Sequence, residues 1–241
     1  MGEHRWELTG RIAAGRVVGI VRAPSGAEAV RAGSRLLAAG LAAVEVSLST
    51  PGALAAITDL AAQARTRSGP APGTGSGTES GNESGTGTGG GTGGGGLVGA
   101  GTVLDAHQAV LAIGAGARFL VCPSLDREVV RAAHRHGVPV VAGAATPTEI
   151  VTALEEGADL IKLFPASQTS PASLRDLLQA LPHAPIVPTG GVTVRTAPEW
   201  IAAGAVAVGM GGELTRGAPE DATPRVHALL AALAEAAGPR G

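Results

Sequence analysis

The sequence contains no tyrosine, only two phenylalanines and two tryptophans, one cysteine and one lysine. Too few aromatics remain to build the stacking platforms on which single-strand nucleic-acid binders rely. No excess of charge compensates: the net charge is -2 with a pI near 6.3, which removes the electrostatic case for nucleic acid or an anionic membrane as partner. The lone Cys122 excludes an internal disulfide and is compatible with a reducing compartment. No apolar run approaches the roughly 18 residues needed to span a bilayer, and Met1-Gly2-Glu3-His4-Arg5-Trp6 is not a basic region followed by an apolar one, so a cytoplasmic soluble protein is expected. With aromatics scarce, a core must come from Ala, Val, Leu and Ile, and 241 residues are enough for a substantial one.

The scarcity of lysine points to one stretch. Lys162 is the only lysine, the other 17 of the 18 basic residues being arginines, and it sits among apolar neighbours in Asp159-Leu160-Ile161-Lys162-Leu163-Phe164-Pro165. An amine can lose its proton and attack a carbonyl when burial disfavours its charge, whereas a guanidinium stays charged. Lys162 is therefore a candidate Schiff-base nucleophile. The plainer alternative is a strand-end lysine with a buried stem and a head that reaches water.

Along the chain, short apolar runs alternate with longer Ala-rich helical stretches. A leading helix is expected over 3–14, with Trp6, Leu8 and Ile12 as its apolar positions. Strands are expected at 17–21, 44–48, 97–100, 118–122, 138–142, 159–163, 186–188 and 205–208, each followed by a helix. Ser25 with Glu28, and Thr146-Pro147-Thr148-Glu149, read as capping boxes, and Thr50 as a cap with Pro51 in the first helical position. Residues 68–96 switch to Gly, Ser and Thr with almost nothing apolar, which predicts a flexible insertion between the second helix and the third strand. Eight strand-helix units imply a parallel sheet covered on both faces and closed into a single (β/α)8 barrel spanning 1–241; an open doubly wound sheet shares the same local pattern.

In a barrel, side chains alternate between interior and helix layer, and chemistry collects at the C-terminal strand ends. If Val44 and Val46 face the helices, Glu45 faces inward; if Ile161 and Leu163 face them, so does Lys162. A buried ion pair of purely structural use is the alternative, but such pairs stabilise poorly for their desolvation cost. Pro188-Thr189-Gly190-Gly191-Val192 and Gly209-Met210-Gly211-Gly212 end the seventh and eighth strands, where backbone N–H groups can approach an anion. Thr102 ends the third strand with a hydroxyl, and Arg22 ends the first with a cation for a carboxylate. The six histidines read as surface residues with no metal-ligand spacing, and Cys122 as a buried structural residue beside Pro123 at the mouth.

Glu45-Val46-Ser47-Leu48, Gly99-Ala100-Gly101-Thr102-Val103-Leu104, Cys122-Pro123, Ala145-Thr146-Pro147-Thr148-Glu149, Lys162-Leu163-Phe164-Pro165-Ala166, Pro188-Thr189-Gly190-Gly191-Val192 and Gly211-Gly212-Glu213-Leu214 follow one another in an order that resembles the class I 2-keto-3-deoxy-6-phosphogluconate (KDPG) and 4-hydroxy-2-oxoglutarate (KHG) aldolases. The resemblance implies a homotrimeric (β/α)8 barrel that needs no cofactor or metal. It would cleave a 2-keto-3-deoxy-6-phospho sugar acid to pyruvate and glyceraldehyde 3-phosphate. It implies Lys162 as Schiff-base lysine, Glu45 as general acid and base, Arg22 and Thr102 near the pyruvyl carboxylate, Pro123 and Thr189 lining the site, and Gly190, Gly191, Gly211 and Gly212 at the phosphate end. Ser49 stands where the gluconate aldolases usually have arginine, as in the 2-keto-3-deoxy-6-phosphogalactonate branch, and Gly212 where the family commonly has a phosphate-binding serine. A non-covalent phosphosugar isomerase or epimerase with Glu45 as base is the reading from a different class.

Overall fold

The computed structural model describes residues 3–66, 95–217 and 221–236. Apart from Gly95 and Gly96, the Gly/Ser/Thr-rich segment at 68–96 lies outside the described residues. Helix α1 (Arg5–Gly15) comes first, followed by β1 (Val17–Val21), α2 (Gly26–Ala38), β2 (Ala43–Ser47), α3 (Ala53–Thr66) and β3 (Leu97–Gly101). Then come α4 (Ala106–Gly114), β4 (Leu120–Val121), α5 (Arg127–Arg135), β5 (Val140–Ala144), α6 (Pro147–Glu155) and β6 (Leu160–Leu163). A 3-10 turn at Ala166–Gln168 precedes α7 (Pro171–Ala180), β7 (Ile186–Pro188), α8 (Ala197–Ala202), β8 (Val208–Met210), α9 (Gly212–Thr215) and α10 (Ala222–Ala236). All strand pairs are parallel in the order β7-β6-β5-β4-β3-β2-β1-β8, and a bridge between Thr189 and Gly209 joins the two ends. The protein is a (β/α)8 barrel, not an open sheet.

Two apolar layers follow from the period-2 alternation of the strands. Val44, Val46, Ile161 and Leu163 belong to the larger layer between strands and helices. Val18, Ala43, Leu97, Phe119, Val121, Val141, Leu160 and Val187 fill the barrel interior, where Leu8 and Ile12 of α1 join them. The leading helix is thus a plug in the N-terminal mouth, and sequestering Leu8 and Ile12 contributes about 1.5–3 kcal/mol each. Trp6, expected on the same apolar face, is exposed and stacks on His4 instead. The plug is pinned by Asp159, whose carboxylate pairs with Arg5 at 3.3 Å and with His134 Nε2 at 3.0 Å and accepts from the Val140 N–H. His134 is therefore half-buried and engaged, which corrects its reading as a surface residue; among the described residues no cluster of His, Cys, Asp and Glu is placed to hold a metal.

Other local expectations differ as well, among them the fifth strand, expected at 138–142 and found at Val140–Ala144. At Ser25 the side chain accepts from the Glu28 N–H, giving half of the expected box, whereas Thr146 and Glu149 form theirs in full. Helix α3 begins at Ala53 without Thr50 as its side-chain cap, because the buried Thr50 hydroxyl accepts from the Ala23 N–H of the neighbouring loop. Strand β8 starts at Val208, where the expectation was 205–208: its register is set by pairing Val17 with Val208 and Gly19 with Met210, and buried Ala205 and Ala207 with the partly buried Val206 lead into it.

Candidate active site

Glu45 stands mid-strand in β2, opposite Ile20 of β1 and Gly99 of β3, and Lys162 in β6, opposite Gly143 of β5 and Val187 of β7. Since Val44 and Val46 are held in the outer layer, the strand pleat turns Glu45 inward; Ile161 and Leu163 do the same for Lys162. Both are buried, at 2% and 6% exposure, and both line one cavity of about 760 Å³ at the C-terminal mouth. The same cavity takes in Arg22, Thr102, Pro123, Thr189, Gly190, Gly191, Gly211 and Gly212, so all ten residues expected at the site meet there.

Burial pushes the Glu45 carboxyl up to about 7, against the pull of the Lys162 and Arg22 charges. Half-ionised at neutral pH, such a group can both give and take a proton. No ion pair among the described residues includes Glu45 or Lys162, so neither is locked to a partner that a substrate would have to displace. The Lys162 Nζ lies 4.6 Å from the centroid of the Phe164 ring, within cation–π range. Arg22 is solvent-exposed at the end of β1 and close enough to lower the Glu45 pKa. The hydroxyl of Thr189 is buried and donates to the Val187 carbonyl.

Glycine matters here for two reasons. A methyl group at Gly101 would overlap the Glu45 carboxylate, so the missing side chain on β3 is the space that the carboxylate occupies. Gly190 and Gly191 have φ of +85° and +92°, a left-handed turn that other residues enter at a cost. That turn is tied to the loop after β6, the N–H groups of Ala166 and Ser167 donating to the carbonyls of Thr189 and Gly190. Cys122 faces away, into the outer layer, and burial, with Asp126 adding to it, pushes its thiol up to about 12; it is no nucleophile.

Sequence reasoning left out Phe164, Thr193, Glu213 and Thr215, which also line the cavity. For Glu213 a signal existed: a carboxylate directly after Gly211-Gly212, at a strand end expected to receive an anion.

The model of the KDPG and KHG aldolase family matches residues 94–225. The chain is 40% identical over 121 residues, half its own length and 59% of the relative's, to the 2-dehydro-3-deoxy-6-phosphogalactonate aldolase of Escherichia coli. It is 42% identical over 108 residues, 44% of this chain and 51% of the relative, to the 2-dehydro-3-deoxy-phosphogluconate aldolase of Treponema pallidum. It thus spans little more than half the length of these curated relatives. Over the whole fold it is similar to a native KDPGal structure, with a TM-score of 0.75 and 29% identity over 91% of this chain and 95% of that one. It is also similar to the 2-keto-3-deoxy-6-phospho-gluconate aldolase of Zymomonas mobilis, with a TM-score of 0.70 and 25% identity over 95% and 97%. A family match over residues 94–225, more than half of the chain and including Lys162 but not Arg22 or Glu45, places this protein in the KDPG and KHG aldolase family.

Proposed function

We propose that the chain is a class I aldolase, a lyase that cleaves 2-keto-3-deoxy-6-phosphogluconate or a close analogue to pyruvate and an aldehyde, glyceraldehyde 3-phosphate where the substrate is phosphorylated. The observation that carries this reading is one buried amine and one carboxyl near neutrality, from strands β6 and β2, lining a single cavity. The Lys162 amine, having given up a proton, attacks the C2 ketone, and Glu45 moves the protons that turn the carbinolamine into a protonated imine. Loss of the C4 hydroxyl proton then breaks the C3–C4 bond, the electron pair passing to the imine nitrogen as an enamine. The aldehyde leaves, Glu45 returns a proton to C3, and hydrolysis frees pyruvate and the amine. Arg22 and Thr102 receive the carboxylate, and the loops at Gly190-Gly191 and Gly211-Gly212 receive the far end.

Borohydride reduction in the presence of pyruvate tests this: a stable adduct on Lys162 is expected, and an unmodified Lys162 would overturn the Schiff-base step in favour of a non-covalent isomerase. The phosphogalactonate substrate is a second reading, favoured by Ser49-Thr50-Pro51 and by the likeness to the E. coli enzyme of that name. Cleavage rates for both epimers with one preparation separate the two.

A cytoplasmic homotrimer belongs to the same reading. Among the described residues no helix is long and apolar enough to cross a membrane. A groove lined by Leu48, Pro51, Leu54 of α3 and Leu111 of α4, with no charged side chain in its walls, supplies an apolar surface for a second copy. Sedimentation at trimer mass, lost in Leu111→Glu, is expected.

A further inference from the structure

We infer that the N-terminal mouth carries a second ligand site, for a small phosphate-bearing anion, built by Arg11, Arg65 and Arg118. Such a site is independent of the aldolase reading.

A cavity of about 340 Å³ opens beside Leu97, the first residue of β3, whereas Gly101, the last residue of that strand, lies against Glu45. The cavity is therefore at the opposite end of the barrel from the amine and carboxyl. Three elements each send one arginine to its wall: Arg11 from α1, Arg65 from the last turn of α3, and Arg118 from the loop ahead of β4. Arg11 Nη1 is 2.6 Å from one oxygen of Glu3, Arg118 Nη2 is 3.2 Å from the other, and Arg11 Nη2 donates to the Gly95 carbonyl. Arg65 Nη1 lies 3.8 Å from where a methyl group on Gly116 would stand. Glu3, Gly95 and Gly116 all line the cavity, so the charged ends of the three side chains, and not only their stems, border it.

The Glu3 carboxylate shows what this place accepts, one oxygen resting on each of two guanidinium groups. It does not balance the charge. Three cations face one carboxylate, and no ion pair among the described residues includes Arg65. Ala61, Ala64, Leu97 and Val98 are buried and give the cavity an apolar floor, which focuses the positive field. The surplus of two positive charges matches a phosphate monoester, which carries close to two negative charges at neutral pH. Guanidinium forks arriving from three elements suit a tetrahedral oxyanion with three free oxygens better than a second planar carboxylate. Because Arg11 belongs to the plug, a bound anion ties α1 to α3 and to the approach to β4.

The test is amide hydrogen exchange in α1 and in the loop ahead of β4, with and without inorganic phosphate at neutral pH, the ionic strength being held constant with chloride. At about ten times the half-saturating phosphate concentration, exchange there should slow about tenfold in the wild type. In Arg65→Gln it should slow only about twofold at the same concentration, the anion being held roughly tenfold more weakly. Arg65 also complements the dipole at the C-terminal end of α3. That role alone would speed exchange in the variant and leave the ratio between the two conditions as in the wild type, which overturns the inference. So does a wild type that phosphate does not slow, or one slowed only around Gly190-Gly191 and Gly211-Gly212, where the anion would belong to the C-terminal mouth. Should Arg65→Gln not fold, the same ratio in Arg118→Gln decides: a value near twofold supports the site, and the wild-type value overturns it.

Discussion

The two mouths of the barrel are built from the same eight strands and do opposite things. At the N-terminal mouth α1 closes the interior with Leu8 and Ile12 against Val18, Leu97 and Phe119, and charges around it are paired, Asp159 with Arg5 and His134, and Glu3 with Arg11 and Arg118. At the C-terminal mouth the interior positions of β2 and β6 hold Glu45 and Lys162, buried without an ion-pair partner around a cavity. One end lowers the free energy of the fold by excluding water; the other gives up part of that gain to hold charges where a substrate can use them. Substitutions should therefore separate activity from stability according to the end they fall in.

Lys162→Met should have the largest effect and the clearest separation. Cleavage should fall to background, because no other amine reaches C2, while thermal stability holds or rises, because a buried charge is replaced by an apolar chain of similar length. Glu45→Gln comes next, lowering kcat about 10²–10⁴-fold through loss of proton transfer. It also alters the dependence of stability on pH. The Glu45 carboxyl is held near 7 in the fold against 4.5 when unfolded, so between those values the folded state binds more protons and wild-type stability falls as pH rises. The loss grows from pH 4.5 upward and is complete above 7. Melting curves of Glu45→Gln should lack this component, and a wild type whose stability relative to the variant is flat across that window would contradict the shift.

Ile12→Ala belongs to the other mouth. It should cost about 2–5 kcal/mol of stability, read by chemical denaturation, and leave kcat per folded molecule unchanged. A matching fall in kcat would mean that the plug and the site are coupled through the strands.

The same contrast explains what was legible in the sequence. Inward Glu45 and Lys162 followed from the alternation of their own neighbours, a local signal that a strand writes along itself. The cap at Thr146 was legible for the same reason. The misreadings are at places where a distant residue decides. Thr50 looked like a helix cap until the Ala23 N–H, from another loop, claimed its hydroxyl. Strand β8 is placed by its pairing with β1 and not by its own apolar run. Leu8 and Ile12 marked a helix face, but nothing in their spacing says that the face plugs a barrel. Gly101 matters for a carboxylate on the adjacent strand, a relation that exists only once the two strands are paired.

That Thr50 contact gives the smallest and most local effect. The hydroxyl is buried at 3% exposure and accepts from the Ala23 N–H at 3.2 Å, one residue beyond Arg22, so it fixes the loop that carries the proposed carboxylate receptor. Thr50→Val keeps the volume and removes the acceptor, leaving the N–H unpaired at a cost of about 1 kcal/mol. Because the proposed role of Arg22 is in binding and not in bond breaking, the cost should appear as a roughly fivefold rise in KM for the keto acid with kcat nearly unchanged. Thr50→Ser, which restores the oxygen, should bring KM back. If instead kcat falls and KM holds, the loop serves the proton-transfer chemistry at Glu45, and the catalytic mouth is more tightly coupled than the separation of its binding and reacting groups implies.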